Sequence, residues 1–240
     1  MNEKVEEIGA KDTHFVTPHG LDKEGHYSTA YDLTLIAKYL LEIPYLANIV
    51  SQKSIMLKIN DYDRLFTTTN EMLNTYNGAN GVKTGFTGEA GRCIVTSVTQ
   101  NGRTLISVVL GCDTKKNRTM DSTKLMNYGF KSFEIVNIGE YLKENICIKV
   151  DKSIEEIYKI SQKVEFKYPL LKGEREKIEI KYNICNNLSA PIYKGENIAT
   201  AEICLNGMRI GYINYSLPES ILKKEWKMYF KEIFLNSLKI

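Results

Sequence analysis

The sequence predicts a mixed α/β (α+β) chain in three parts: a helix-and-sheet domain over residues 1–135, a small all-β sandwich over 136–217 and an amphipathic helix over 218–240. Three observations carry this. Apolar residues recur at the helical period in "AYDLTLIAKYLLE", and two near-continuous apolar runs flank the turn Asn101-Gly102. Beyond Tyr141 the pattern changes to short alternating segments separated by turns. After Pro218 it returns to a helical period.

In chain order, Val5–Lys11 reads as a helix end closing at Gly9, followed by a loop, "DTHFVTPHGLDKEGHYSTAYD", rich in Gly, Pro, Asp and His. Ser28 and Thr29 offer hydroxyl caps to the next helix, in which Leu33, Ile36, Ala37, Leu40 and Leu41 form a buried stripe. Pro44 is expected to close it. From Ser51 to Phe66 the pattern alternates loosely, and "RLFTTTNEMLNTY" leads into a short helical stretch. Cys93–Val98 and Thr104–Leu110 are apolar enough for a sheet interior, and Asn117–Tyr128 reads as a helix packed on that sheet through Leu125 and Met126. The segments "ICIKV", "KVEFKY", "KIEIKYNI" and "IATAEICLNGMRIGYINYSL", with turns at Lys172-Gly173 and Asn206-Gly207, make up the all-β part. In "SILKKEWKMYFKEIFLNSLKI", Leu222, Trp226, Tyr229, Phe230, Ile233 and Phe234 fall on one side and Lys223, Lys227 and Lys231 on another. That is the profile of a helix lying in a membrane interface.

With 240 residues and 43% hydrophobic composition, the chain is long enough to bury a sizeable core. A net charge of +3 spread along the chain gives no argument for nucleic acid. Cys93, Cys112, Cys147, Cys185 and Cys204 stand far apart without a C-x-x-C pair, so they read as buried free thiols rather than zinc ligands or a disulfide framework. The start, "MNEKVEEIGAKDTHF", is charged and amphipathic, unlike a secretory signal.

"NGANGVKTGFTGEAG" gathers Gly78, Gly81, Gly85, Gly88 and Gly91 around Lys83 and Thr84. A phosphate loop needs its lysine directly after the last glycine and a helix beyond it. Here Val82 intervenes and two strands follow, which argues against phosphate.

The run "NGVKTGFTGEAGRCIVTSVTQNGRTLISVVLG" resembles the third motif region of the penicillin-binding serine peptidases, specifically the low-molecular-mass D-alanyl-D-alanine carboxypeptidases. The resemblance extends to the stretch from Met1 to Leu41, to "NRTMDSTKLMNYGF", and to the later β segments as that family's C-terminal sandwich, so it covers essentially the whole chain. It implies the penicillin-binding/β-lactamase-like transpeptidase fold and an acyl-enzyme mechanism with no metal or cofactor. It implies that Lys83 and Thr84 orient the substrate carboxylate, that Gly85 lets the substrate backbone approach, and that the Phe86 backbone N–H helps form the oxyanion hole. Arg118 stands where the family often has an arginine near the carboxylate pocket. The implied ligands are the pentapeptide stem of peptidoglycan and, for the complete enzyme, β-lactams. The implied location is extracytoplasmic, with residues 220–240 on the membrane surface.

Two of the family's three motifs do not match. S-x-N occurs nowhere, and S-x-x-K only as Ser220-Ile221-Leu222-Lys223, after the third motif. The family order places both upstream of Met1, so the chain is expected to be the C-terminal portion of a longer enzyme that cannot form an acyl-enzyme alone. A non-catalytic envelope or membrane-binding remnant is the alternative, and an unrelated anion-binding module a weaker one. His14, His19 and His26, without a zinc-protease spacing, are expected to serve the loop backbone, and Asp22 and Glu24 to cap it. Tyr62, Tyr76 and Tyr128 read as packing residues.

Overall fold

A computed structural model describes the backbone of residues 1–237, so the last three residues of the expected terminal helix lie outside the described residues. The chain divides into two compact units, Met1–Ser132 and Phe133–Ile240.

The first unit opens with helix α1 (Asn2–Glu7), which ends ahead of Gly9 at φ +82°. The loop beyond it is tied down at two places. His14 and Tyr27 exchange backbone hydrogen bonds, and the buried Asp32 carboxylate accepts from the Asp12 N–H at 2.8 Å and the Thr13 hydroxyl at 2.7 Å. Asp32 lies in the first turn of α2 (Ala30–Leu41), whose N-cap is the Thr29 hydroxyl. Proline 44 does not simply end this region. It opens a second helix, α3 (Pro44–Val50), because a proline at the first helical position lacks only an N–H that would have no intrahelical partner anyway.

Strands β1 (Ser54–Ile59) and β2 (Tyr62–Thr67) form a hairpin whose strand residues are all exposed, turned by Asn60 and Asp61 at positive φ. A short helix, α4 (Met72–Thr75), leads to β3 (Ala79–Thr87), β4 (Gly91–Gln100) and β5 (Arg103–Cys112), an antiparallel sheet in the order β3-β4-β5. Helix α5 (Lys115–Ser132) covers one face. A buried hydroxyl network joins it there: Ser122 donates to Thr96 at 2.8 Å and meets Ser107 at 3.1 Å. The opposite face carries α2 and α3, so that a Cβ added at Gly81 would lie 3.3 Å from Val50 and 3.7 Å from Leu41.

In the second unit β6 (Phe133–Asn137) pairs with β9 (Lys167–Leu171). Strands β7 (Asn145–Asp151) and β8 (Ile157–Ser161) join β11 (Leu188–Ser189), while β10 (Ile178–Ile184), β12 (Asn197–Leu205) and β13 (Met208–Ser216) form another sheet. Strict alternation on β7 buries Ile146, Ile148 and Val150 against Ile198, Ala201 and Tyr215. Two glycines are set by close packing: a Cβ at Gly139 would sit 2.0 Å from the Val164 carbonyl oxygen, and one at Gly211 2.6 Å from the Phe166 ring.

The terminal segment differs from its sequence expectation. Only α6 (Trp226–Ser237) is helical. Ahead of it the chain is extended, with Ile221 exchanging backbone hydrogen bonds with Ile192 at 2.8 and 3.0 Å and burying its side chain in the core. Pairing Ile221 with Ile192 satisfies backbone groups and removes apolar surface together, which a longer exposed helix could not do.

Tyr215 is fully buried and donates to the Lys143 carbonyl at 2.8 Å; burial, with Tyr182 beside it, pushes its phenol up from 10.0 to about 12. Since the folded pKa is raised, the unfolded chain loses its proton first as pH rises. Stability of the second unit should therefore be unaffected by this group below pH 10 and fall between pH 10 and about 12. Denaturant titrations across that range, compared with Tyr215→Phe, which should flatten the decline, check this.

Candidate active site

The Lys-Thr-Gly segment lies on β3, whose residues alternate between the two faces of the sheet. Register with β4 pairs Lys83 with Val95, Thr84 with Ile94, Gly85 with Cys93 and Phe86 with Arg92. Thr96 marks the α5 face through its bond to Ser122, so Thr84, Phe86 and Arg92 share that face. Lys83, Gly85 and Cys93 share the other.

Lys83 is exposed, and its ammonium donates to the Thr84 carbonyl at 2.5 Å. Gly85 is exposed and has negative φ; a Cβ there would meet nothing closer than Cys93 Cβ at 4.0 Å. The chain's own packing therefore does not require glycine at this position. A cleft of about 580 Å³ opens beside it, lined by Phe15, His26, Leu33, Phe86, Cys93 and Leu110 among others. The Phe86 side chain is 61% exposed.

Thr84 is only 7% exposed, and its hydroxyl meets that of Thr69 at 2.6 Å. The strap that carries Thr69 is fastened to β3 by its neighbour: Asn70 donates to the Gly81 carbonyl at 3.1 Å and accepts from the Met72 N–H. From the α5 side, Arg118 donates to the Glu71 carboxylate at 2.5 Å and reaches the Thr69 carbonyl at 3.5 Å. Its guanidinium is thus turned to an ion pair behind the strap, in a residue 3% exposed, rather than to open space. Thr69, Asn70 and Glu71 were not singled out by sequence. Thr69 stands 15 residues before Thr84, and no periodicity links a strap to the strand it crosses.

The histidines serve the loop. His14 Nδ1 lies 2.7 Å from the Gly25 carbonyl, His26 Nδ1 accepts from the Val16 N–H at 3.1 Å, and His19 Nδ1 accepts from the Leu21 N–H at 3.1 Å. Asp22 accepts from the Glu89 N–H at 3.5 Å, while Glu24 is exposed. Tyr76 donates to Asn127 at 2.8 Å, and Tyr62 and Tyr128 are exposed. No group of three or more His, Cys, Asp or Glu among the described residues is arranged to hold a metal ion. Ser220 and Lys223 stand in the extended segment of the second unit, where residues three apart point to opposite sides, and the Ser220 hydroxyl accepts from the Lys194 N–H at 2.9 Å. They do not form the nucleophile-lysine pair of one helix face.

Comparison with known proteins bears on the family of the chain. The family model "D-alanyl-D-alanine carboxypeptidase" matches residues 1–114, and that of the penicillin-binding protein 5 C-terminal domain matches residues 130–223. The chain is 32% identical to the D-alanyl-D-alanine carboxypeptidase DacF of Bacillus subtilis, over 96% of this chain and 60% of the relative. It is 32% identical to DacA of Haemophilus influenzae, over 92% and 56%. The crystal structure of penicillin binding protein 5 from H. influenzae superposes with a TM-score of 0.72 at 30% identity, covering 91% of this chain and 64% of that one. The chain thus spans well under two thirds of the length of these curated relatives.

Removing the Glu71 carboxylate would leave a buried guanidinium without its ion partner. Glu71→Ala is expected to destabilise the first unit by about 2–3 kcal/mol, the lower part of the range for a broken buried pair because Glu71 is partly exposed. Thermal and denaturant unfolding of the variant measure this.

Proposed function

Because this chain belongs to the D-alanyl-D-alanine carboxypeptidase family, we propose that it supplies the carboxylate-holding strand of a serine peptidase that removes the terminal D-alanine from peptidoglycan stem peptides. The observation that carries this reading is Gly85, a glycine that nothing in the fold demands, exposed between a lysine and a backbone N–H on the rim of a cleft.

In this reading the substrate backbone lies along β3, and the missing side chain at Gly85 leaves room for it. Lys83 contributes positive charge and Thr84 a hydroxyl that orients the terminal carboxylate. The Phe86 N–H donates to the oxygen of the attacked carbonyl as negative charge develops there. Arg118 acts from behind, holding Thr69 against Thr84 through its contacts with Glu71 and the strap. The acylated serine would not come from this sequence: S-x-N is absent, and the one S-x-x-K lies in extended chain. The chain alone is therefore inactive in acyl transfer.

The exposed stripe Trp226, Phe230, Ile233 and Phe234 on α6 supports attachment to a membrane surface, the second function we assign. Among the described residues no single helix is long and apolar enough to cross a membrane, so α6 would lie in the interface.

Intact-mass analysis after incubation with a fluorescent penicillin should show no covalent adduct; a stoichiometric adduct on a serine, lost in Lys83→Ala, would mean that the chain carries a working nucleophile. Trp226 fluorescence should shift to the blue on addition of anionic phospholipid vesicles, and Phe230→Ser with Ile233→Ser should weaken binding by about tenfold or more. An unchanged spectrum would rule out the interfacial helix.

A further inference from the structure

The segment between β13 and α6 forms a small ladder of its own. Ser153 pairs with Lys223 on one side of it and Ile192 with Ile221 on the other, both antiparallel. The Lys224 N–H donates to the Lys152 carbonyl at 2.8 Å, and the Lys194 N–H to the Ser220 hydroxyl at 2.9 Å. Register then fixes the neighbours: Leu222 has Ile154 opposite it on one side and Pro191 on the other, while Lys152 stands opposite Lys224. Alternation turns Ser153, Ile192 and Ile221 inward, where all three are buried, and the row of Ile154, Leu222 and Pro191 outward.

Ile154 and Leu222 are 55% and 63% exposed, with Pro191 exposed beside them. The turn that presents Ile154 is fixed: the buried Ser153 hydroxyl donates to the Val150 carbonyl at 2.6 Å, and the Val150 N–H donates to the Glu156 carbonyl at 2.9 Å. A side chain held outward on a fixed backbone loses little further freedom when it is covered. Three side chains offer far less than the roughly 800 Å² per partner of a stable protein interface. A lipid interface sets no such minimum, because each contact adds to that of any other segment of the same chain inserted beside it. The neighbouring segment is α6, whose exposed stripe starts at Trp226, four residues after Leu222, and the Lys224 ammonium lies 5.4 Å from the centre of the α6 Tyr229 ring. The methylene stems of Lys152 and Lys224 extend the apolar row and set their charges at headgroup level. Exposed Asp151, Glu155 and Glu225 offset the lysines, so the contact is apolar rather than electrostatic.

We propose that the row of Ile154, Leu222 and Pro191 is a second membrane contact, through which the β-rich unit itself rests on a phospholipid interface beside α6. This rests on the reading that α6 lies in that interface.

Trp226 is the one tryptophan of the sequence, so Ile154→Trp in a Trp226→Phe background places a single reporter at the turn. With vesicles of phosphatidylcholine and phosphatidylglycerol, its emission should shift to the blue and be quenched by phospholipids brominated on their acyl chains. In the otherwise unmodified chain, Ile154→Ser with Leu222→Ser should weaken vesicle partitioning by about tenfold, and by the same factor at low and high salt, since an apolar contact is not screened. Unchanged melting temperatures of the variants would exclude a folding defect. If Trp226 of the unmodified chain responds to vesicles while the tryptophan at position 154 stays in water and the serine variant partitions as before, the row is not a contact and the reading of α6 stands. If Trp226 does not respond, the reading of α6 fails and the second contact fails with it. Self-association of the chain without lipid, removed by Leu222→Ser, would assign the row to a second copy and overturn the proposal.

Discussion

Antiparallel pairing of β3 with β4 sends consecutive residues to opposite faces of the sheet, and the arrangement of the candidate site depends on that alternation. It separates the Lys83 ammonium from the Thr84 hydroxyl although the two are neighbours in sequence. It sets Gly85 over Cys93 beside the cleft, and it brings Arg92 under Phe86 from across a tight turn. A shift of one residue in register would exchange every one of these positions. The hydroxyl network of Thr96, Ser107 and Ser122 opposes such a shift, because moving β4 by one residue would turn Thr96 away from α5 and leave Ser122 and Ser107 with a buried polar deficit.

The strap at residues 68–75 is the second layer of the same design. Asn70 holds it to the Gly81 carbonyl, Thr69 touches Thr84, and Arg118 braces it through Glu71. The Thr69 hydroxyl gives the Thr84 hydroxyl a partner that fixes its rotor, and the strap does so without filling the space over Gly85. The long His-rich loop is organised in the same manner, since Asp32 and the three histidines pair with backbone and hydroxyl groups of that loop.

The second unit is built differently. Its core is apolar and alternating, centred on Tyr215, Ile198 and the β7 stripe, and two close approaches at Gly139 and Gly211 admit no side chain. The extended segment around Ile221 closes that core before α6 begins. The aromatic side chains Trp226 and Phe230 of α6, beyond the point where the strand-like pairing stops, are exposed.

Much of this was legible in the sequence. The helical period identified α2, the Asn101-Gly102 turn marked β4 and β5, and alternation after Tyr141 identified the β-rich unit, because these patterns record local geometry that is the same in any context. Lys83, Thr84 and Gly85 stand out in the sequence for the same reason: they are contiguous. Pro44 closes α2 as its sequence suggests but also opens α3, and a local signal misled at residues 220–224, where a helical period lost to pairing with Ile192. What only the tertiary structure decided were the contacts between segments distant in sequence: Thr69 with Thr84, Arg118 with Glu71, and the burial that raises Tyr215. Sequence determined the elements and the chemistry they carry, whereas the face each group presents and the partner it meets depend on register and packing, which no single stretch of chain contains.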